Sequence, residues 1–146
     1  MKKIAILSFY SGIVERGVEN FTYEIGKRLS PKYDVTIFCS GVIFPEKFKV
    51  KNYKSSASTP KQTKGILSKF YLDRQSLKIL FFSLRIAKDI ISGKYDLIIP
   101  ANGGWQTVIF RIISKFTNSK LLITGHAGIG ADDAWNYFFD RTLLWR

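Results

Sequence analysis

Two stretches decide the fold: Lys3-Ile4-Ala5-Ile6-Leu7-Ser8-Phe9 near the start, and Asp34-Val35-Thr36-Ile37-Phe38-Cys39 further on. The first is an almost unbroken apolar run, the pattern of a strand buried on both faces of a parallel sheet. The second is rich in β-branched residues and reads the same way. Between them Val18, Phe21, Ile25 and Leu29 recur at three, four and four residues, which places them on one helical stripe, and Pro31 lies just past its end. The chain therefore opens with a strand, helix, strand unit.

Working outward, Leu77, Leu80, Leu84, Ala87 and Ile91 repeat at helical spacing, with Gly93 as a stop signal. Ile66, Leu67 and Phe70 form either an earlier turn of that helix or a separate one. Asp96-Leu97-Ile98-Ile99-Pro100 predicts a short buried strand, and Asn102-Gly103-Gly104 turns the chain. Trp105, Val108, Ile109, Ile112, Ile113 and Phe116 form the next apolar helical face. Lys120 to Thr124 is another strand, and a last helix is expected from Asp133 through Trp135, Phe138 and Phe139. Strands that alternate with helices give an α/β, Rossmann-like parallel sheet with helices on both faces. One domain is expected over 1–146.

The 146 residues are 46% hydrophobic, too apolar for a disordered chain. Cys39 is the one cysteine, so no intramolecular disulfide forms, and no Cys/His cluster has metal-ligand spacing. No metal and no bound cofactor are expected. The apolar run from Ile4 stops at Ser8, too short for a signal-peptide core, and no run reaches the ~18 residues of a membrane span. A soluble or peripheral protein in a reducing, cytoplasmic setting is the expectation.

The formal net charge is +12, and residues 46–78 hold nine Lys/Arg against Glu46 and Asp73. Ser55 to Lys64 lacks large apolar residues, so a basic mobile excursion is expected over 46–65. Two readings of it stand side by side. It is a solvated loop, or a patch that concentrates anions, whether membrane phospholipid, diphosphate or nucleic acid. Phe48, Phe70 and Tyr71 are the apolar residues that would accompany it into a membrane surface. Nucleic acid is the weakest of these partners, because no helix-turn-helix, zinc-finger or RNA-binding signature accompanies the charge.

Ligands of such sheets gather outside the carboxyl ends of the strands. That rule selects three loops: Ser8 to Gly17, Pro100 to Gly104, and Thr124 to Asp133. Gly12 and Gly17 flank the start of the first helix, where free amides and the helix dipole accept a phosphate or carboxylate, unless the glycines only shape the turn. Asn102 and Gly103 carry the same two readings. His126, the only histidine, stands among Gly125, Gly128 and Gly130, with Asp132 and Asp133 on the same loop. One of those two aspartates is expected to cap the helix ahead of Trp135.

The run Lys3 to Leu7, the loop Glu15-Arg16-Gly17-Val18-Glu19-Asn20, the helix through Tyr23, Glu24, Ile25, Lys27, Arg28 and Leu29, and Tyr33-Asp34-Val35-Thr36 together resemble the start of glycosyltransferase family four. So do Tyr95-Asp96-Leu97-Ile98 with Asn102-Gly103, and Lys120 to Asn136 with Gly125-His126-Ala127-Gly128. The resemblance covers most of the chain outside the basic excursion. It implies a GT-B architecture of two Rossmann-like domains facing a cleft, this one on the acceptor side. It also implies retention of the anomeric configuration, a nucleotide-sugar as co-substrate, and no metal. By resemblance, Gly17 lies under the donor diphosphate and His126, the catalytic candidate, hydrogen-bonds the donor sugar. Arg16, Gly12, Asn102, Gly103, Gly125, Asp132 and Asp133 complete the expected binding set.

The chain departs from that family in two places. The loop commonly carries two adjacent glycines, and Arg16 occupies the first position, where it either contacts phosphate or points to solvent. The domain is also expected to be incomplete at its C-terminus, with the nucleotide-sugar-binding half and the family's paired glutamates supplied by a partner chain or a missing domain. The acceptor would be a glycan, a lipid-linked sugar or a small molecule. The alternative is a non-catalytic docking subunit of a two-chain glycosyltransferase, recruited to the inner face of an anionic membrane.

Overall fold

The computed structural model describes residues 1–55 and 66–124. The elements are β1 (Lys3–Ser8), α1 (Gly17–Leu29), β2 (Asp34–Cys39), β3 (Lys49–Asn52), α2 (Ile66–Lys69), α3 (Arg74–Gly93), β4 (Leu97–Pro100), α4 (Trp105–Thr117) and β5 (Lys120–Leu121). The strands form one parallel sheet in the order β3-β2-β1-β4-β5. The fold is α/β and Rossmann-like: strand order reverses between β1 and β4, which makes that junction the topological switch point.

Alternation along the central strand sorts its side chains between two cores. On one face Ile4 and Ile6 pack with Val35, Ile37, Phe48 and Ile99 beneath Tyr23, Ile25 and Leu29 of α1. On the other, Ala5 and Leu7 pack with Phe9, Phe38 and Ile98 beneath Phe82, Ile86 and Ile90 of α3 and Phe110 of α4. Each such large apolar side chain contributes roughly 1.5–3 kcal/mol on burial. Among the described residues α1 is the one helix packed on the first of these faces, since no helix lies between β2 and β3.

Three expectations change and one open choice is settled. Of the excursion expected over 46–65, Lys49–Asn52 belongs to the sheet and pairs in parallel with β2, and Phe48 just before it is a core residue, 4% exposed, so it does not reach a membrane surface. Residues 56–65 lie outside the described residues. Lys49 and Lys51 of this edge strand are held by Asp34 at 2.9 Å and Asp89 at 2.7 Å. Charge on an edge strand discourages pairing with a foreign strand.

Second, the core stripe of α3 is Phe82, Ile86 and Ile90, while the expected Leu84 and Ile91 are 54% and 51% exposed. The helix is apolar over two adjoining stripes, and the sheet selects the aromatic one: the Phe82 ring meets Phe9 edge to face at a centroid distance of 5.3 Å. In α4, likewise, Phe110 is buried and Ile112 and Phe116 are exposed.

Third, Gly93 is the last helical residue, not the left-handed stop. Lys94 takes that conformation at φ 50°, and a side chain on Gly93 would strike the Tyr95 ring. Last, of the two readings left open, Ile66–Lys69 is the separate helix and not an earlier turn of α3, which Asp73 opens by accepting from the amides of Gln75 and Ser76. The last helix expected from Asp133 lies outside the described residues. No helix among the described residues is long and apolar enough to cross a membrane.

Candidate functional site

Because β1 and β4 are parallel neighbours and each is followed by a helix, the N-termini of α1 and α4 both stand at the carboxyl edge of the sheet. Two loops meet there. The amide of Phe9 donates to Asn102 Oδ1 at 2.8 Å, and the Asn102 amide donates to Gln106 Oε1 at 3.0 Å. The amide of Ala101 continues the ladder to the Leu7 carbonyl at 2.9 Å. Asn102 is thus the clasp of the switch point, and its neighbour Gly103 is exposed, with nothing within 4 Å of where a Cβ would stand.

The loop after β1 is built on a backbone-to-backbone approach. Gly12 has φ +80°, and a Cβ there would stand 2.5 Å from the Val42 carbonyl oxygen, so only glycine fits. The Ser11 hydroxyl donates to Ser8 at 2.6 Å, and the Gly41 amide donates to the Ser11 carbonyl at 3.1 Å. Turn shaping therefore accounts for Gly12. Gly17 is different. A Cβ on Gly17 would meet nothing within 4 Å, so packing among the described residues does not demand a glycine there.

Arg16 precedes Gly17 as the N-cap and offers no side-chain acceptor to the first turn of α1. Its guanidinium lies 4.9 Å from the centroid of the Tyr10 ring and donates to Glu19 at 2.9 and 3.3 Å. The Glu19 side chain is 4% exposed and that of Arg16 44%, so this is a pair with one end dry and the other wet. Nη1 of Arg16 has no bond among the described residues. Burial pushes the Tyr10 hydroxyl up from its ordinary value, against the pull of Arg16, and this hydroxyl donates to Gln75 Oε1 of α3 at 3.2 Å.

The N-terminus of α4 also lacks a side-chain cap. Its N-cap Gly104 has φ +63°, and a Cβ would stand 2.8 Å from the Tyr71 ring. The Trp105 indole donates to the Tyr71 carbonyl at 2.8 Å, which fixes the start of the helix against the segment leading to α3. Both helix ends thus present amides and a positive dipole at one edge, the arrangement that favours an anion.

Nucleophilic chemistry by Cys39 is disfavoured, because burial pushes its thiol up to about 12. Among the described residues no cluster of three or more His, Cys, Asp or Glu could hold a metal ion.

Of the residues singled out in the sequence, Gly12, Arg16, Gly17, Asn102 and Gly103 stand on the two loops of the switch point. Gly125, His126, Asp132 and Asp133 lie outside the described residues, which end at Thr124, whose hydroxyl donates to the Pro100 carbonyl at 3.4 Å. Sequence reasoning missed Gln106, fully buried and bonded to the Asn102 amide, with Nε2 lacking a partner among the described residues. The only signal for it was a polar residue four positions after Asn102, in the first turn of an amphipathic helix. It also missed Tyr10 and Tyr71, whose roles depend on partners distant in sequence. No protein-family model matches the chain, and no curated protein matches it.

Proposed function

We propose that the chain forms the N-terminal, acceptor-side half of a retaining glycosyltransferase that moves a sugar from a nucleotide-sugar to a glycan, lipid-linked or small-molecule acceptor. The observation that carries this reading is the pair of uncapped helix N-termini, behind Gly17 and Gly104, clasped side by side at the switch point by Phe9 and Asn102. Sugar transfer builds negative charge on the diphosphate leaving group, and preorganised amides at that point stabilise it without a metal. The open space over Gly17 lets a phosphate oxygen approach the backbone, and Nη1 of Arg16 supplies a charge-assisted donor beside it. The motifs quoted from the sequence supply the sugar chemistry, with His126 directed to the donor sugar. The nucleotide-binding half comes from a partner chain or further domain. A cytoplasmic protein, peripheral at the membrane where the acceptor is lipid-linked, fits this role.

Transfer of radiolabelled sugar tests the reading. The chain is assayed alone and mixed with a separately expressed nucleotide-sugar-binding domain. Transfer only in the mixture, reduced by Gly17→Val, is the expected result. Transfer by the 146-residue chain alone overturns the division of labour, and a mixture indifferent to Gly17→Val overturns the role of the α1 terminus.

A further inference from the structure

A second concave site stands apart from the switch point, at the end of the edge strand. After β3 the Tyr53 amide donates to the Cys39 carbonyl at 2.8 Å, and Lys54 and Ser55 follow beside α3. Between these residues and the helix lies a pocket of about 170 Å³ lined by Tyr53, Ser55, Lys78, Phe81, Phe82 and Arg85. Lys78, Phe81, Phe82 and Arg85 follow at i, i+3, i+4 and i+7, one face of the helix. The aromatic floor is rigid: the Tyr53 ring stands at centroid distances of 6.4 Å from Phe82 and 6.2 Å from Phe38.

The rim carries the charge. Arg85 Nη1 donates to the Lys54 carbonyl at 3.1 Å, and the guanidinium lies 6.0 Å from the centroid of the Tyr53 ring. Among the described residues no carboxylate pairs with it. The nearest acid along the helix, Asp89, is taken by Lys51 at 2.7 Å and by the Tyr53 hydroxyl at 2.5 Å. Lys78 adds a second cation to the lining. Two cations, a serine hydroxyl and an aromatic wall, on a protein of net charge +12, attract an anion.

Size and geometry select the anion. The pocket is well below the ~300 Å³ of sites that enclose a whole drug-sized ligand, so it takes a group. Residues seven apart on a helix are separated by about 10 Å along its axis, so Lys78 and Arg85 enter the lining from positions two turns apart. A carboxylate, with one charge and two oxygens, engages one of them. A phosphate, with up to two charges and several oxygens, engages both, and the guanidinium fork matches it. We propose that this pocket binds a phosphate group, supplied by a soluble phosphate ester or by a phospholipid headgroup. The proposal is independent of the glycosyltransferase reading, since it uses none of the residues at the switch point.

Titration of the full chain with inorganic phosphate and diphosphate, followed by the NMR signals of Arg85 Nε and the Phe82 amide, tests it. A parallel arm uses phosphatidylcholine vesicles with and without phosphatidylglycerol. Saturable shifts at Arg85 are expected, with affinity reduced about tenfold or more in Arg85→Gln, the loss expected of one charge-assisted bond. Lys78→Gln, scored in the same way, covers the case in which Arg85→Gln fails to fold. Lys94→Gln, far along the helix, should bind as the parent does. Saturation by the free ions identifies a soluble ligand, and Arg85-dependent binding confined to phosphatidylglycerol vesicles identifies a headgroup. Binding that is equal in all three variants, or that is absent with both ions and both vesicles, overturns the proposal.

Discussion

The Phe9 amide and the Asn102 side chain, 93 residues apart in sequence, meet at 2.8 Å and join the loops that follow the two central strands. Replacing Asn102 by Ala removes the acceptor and leaves a part-buried amide unpaired, which costs about 1–3 kcal/mol. Asn102→Asp keeps an acceptor oxygen and should lose less. Urea unfolding of the two variants decides it, and equal losses would show that the clasp is not what holds the loops.

The two glycines of the first loop should separate stability from binding. Gly12→Ala forces a side chain into a left-handed backbone against the Val42 carbonyl, and should destabilise by more than about 1 kcal/mol. Gly17→Ala meets open space in an ordinary helical backbone, and should be neutral or stabilising by up to about 1 kcal/mol. Thermal melts of both variants, with diphosphate titrated into the second, provide the check. Under the proposed function, Gly17→Ala weakens diphosphate binding while the fold stays intact.

Arg16 and Glu19 should respond asymmetrically to truncation. Removing Arg16 leaves a carboxylate that is almost entirely buried without its partner, whereas Glu19→Gln leaves a half-exposed guanidinium that water can solvate. A loss of about 1–2 kcal/mol is expected for Arg16→Ala, and a smaller one for Glu19→Gln. Chemical denaturation with the double variant completes the cycle. A larger loss for Glu19→Gln would contradict the burial argument.

Cys39 reports on opening of the sheet. Its thiol, pushed up to about 12 by burial and donating to the Gly41 carbonyl at 3.3 Å, should resist a disulfide reagent at pH 8. Reaction should begin only in denaturant, in step with the loss of far-UV circular dichroism. Rapid labelling of the native chain would mean that β2 is accessible from outside.

Asp89 gives the fold an acid-side dependence. The Lys51 ammonium, and then the Tyr53 hydroxyl, hold its carboxyl below the usual carboxylate range. A depressed folded-state value means the contribution is present above the unfolded value of about 3.9 and fades as the pH falls below it. Melting temperature should therefore drop below about pH 4, and Asp89→Asn should flatten that part of the profile. An unchanged slope in the variant would place the acid sensitivity elsewhere.

Continuous apolar runs made β1, β2 and β4 legible, because strands covered on both faces need little polar alternation. β3 was hidden for the opposite reason: Lys47, Lys49 and Lys51 outnumber Phe48 and Val50, so an edge strand reads as a basic loop. Spacing located α3 but not its buried side, since adjoining apolar stripes share a period and only the ring of Phe9 distinguishes them. Gly12, Arg16, Gly17, Asn102 and Gly103 were legible as a site because strand ends and glycines are local signals. Tyr71 and the Lys78 and Arg85 pocket were not, since each depends on a contact between segments that the sequence keeps apart, and Gln106 was not because its bond to the Asn102 amide, four residues back, exists only once the turn into α4 has formed.

The strand order has a consequence for synthesis. Of the five described strands β1 leaves the ribosome before the others, yet it lies at the centre of their sheet, and its second neighbour, Leu97–Pro100, emerges long after the first. At about 5–20 residues per second, the nascent chain spends on the order of 3–12 s with the Ile4 to Leu7 edge unpaired after β2 has docked. During that interval one side of the most apolar strand is open to a chaperone or to another nascent chain. Chains stalled before residue 97 should be protease-sensitive in β1, and chains stalled beyond β5 should be protected there.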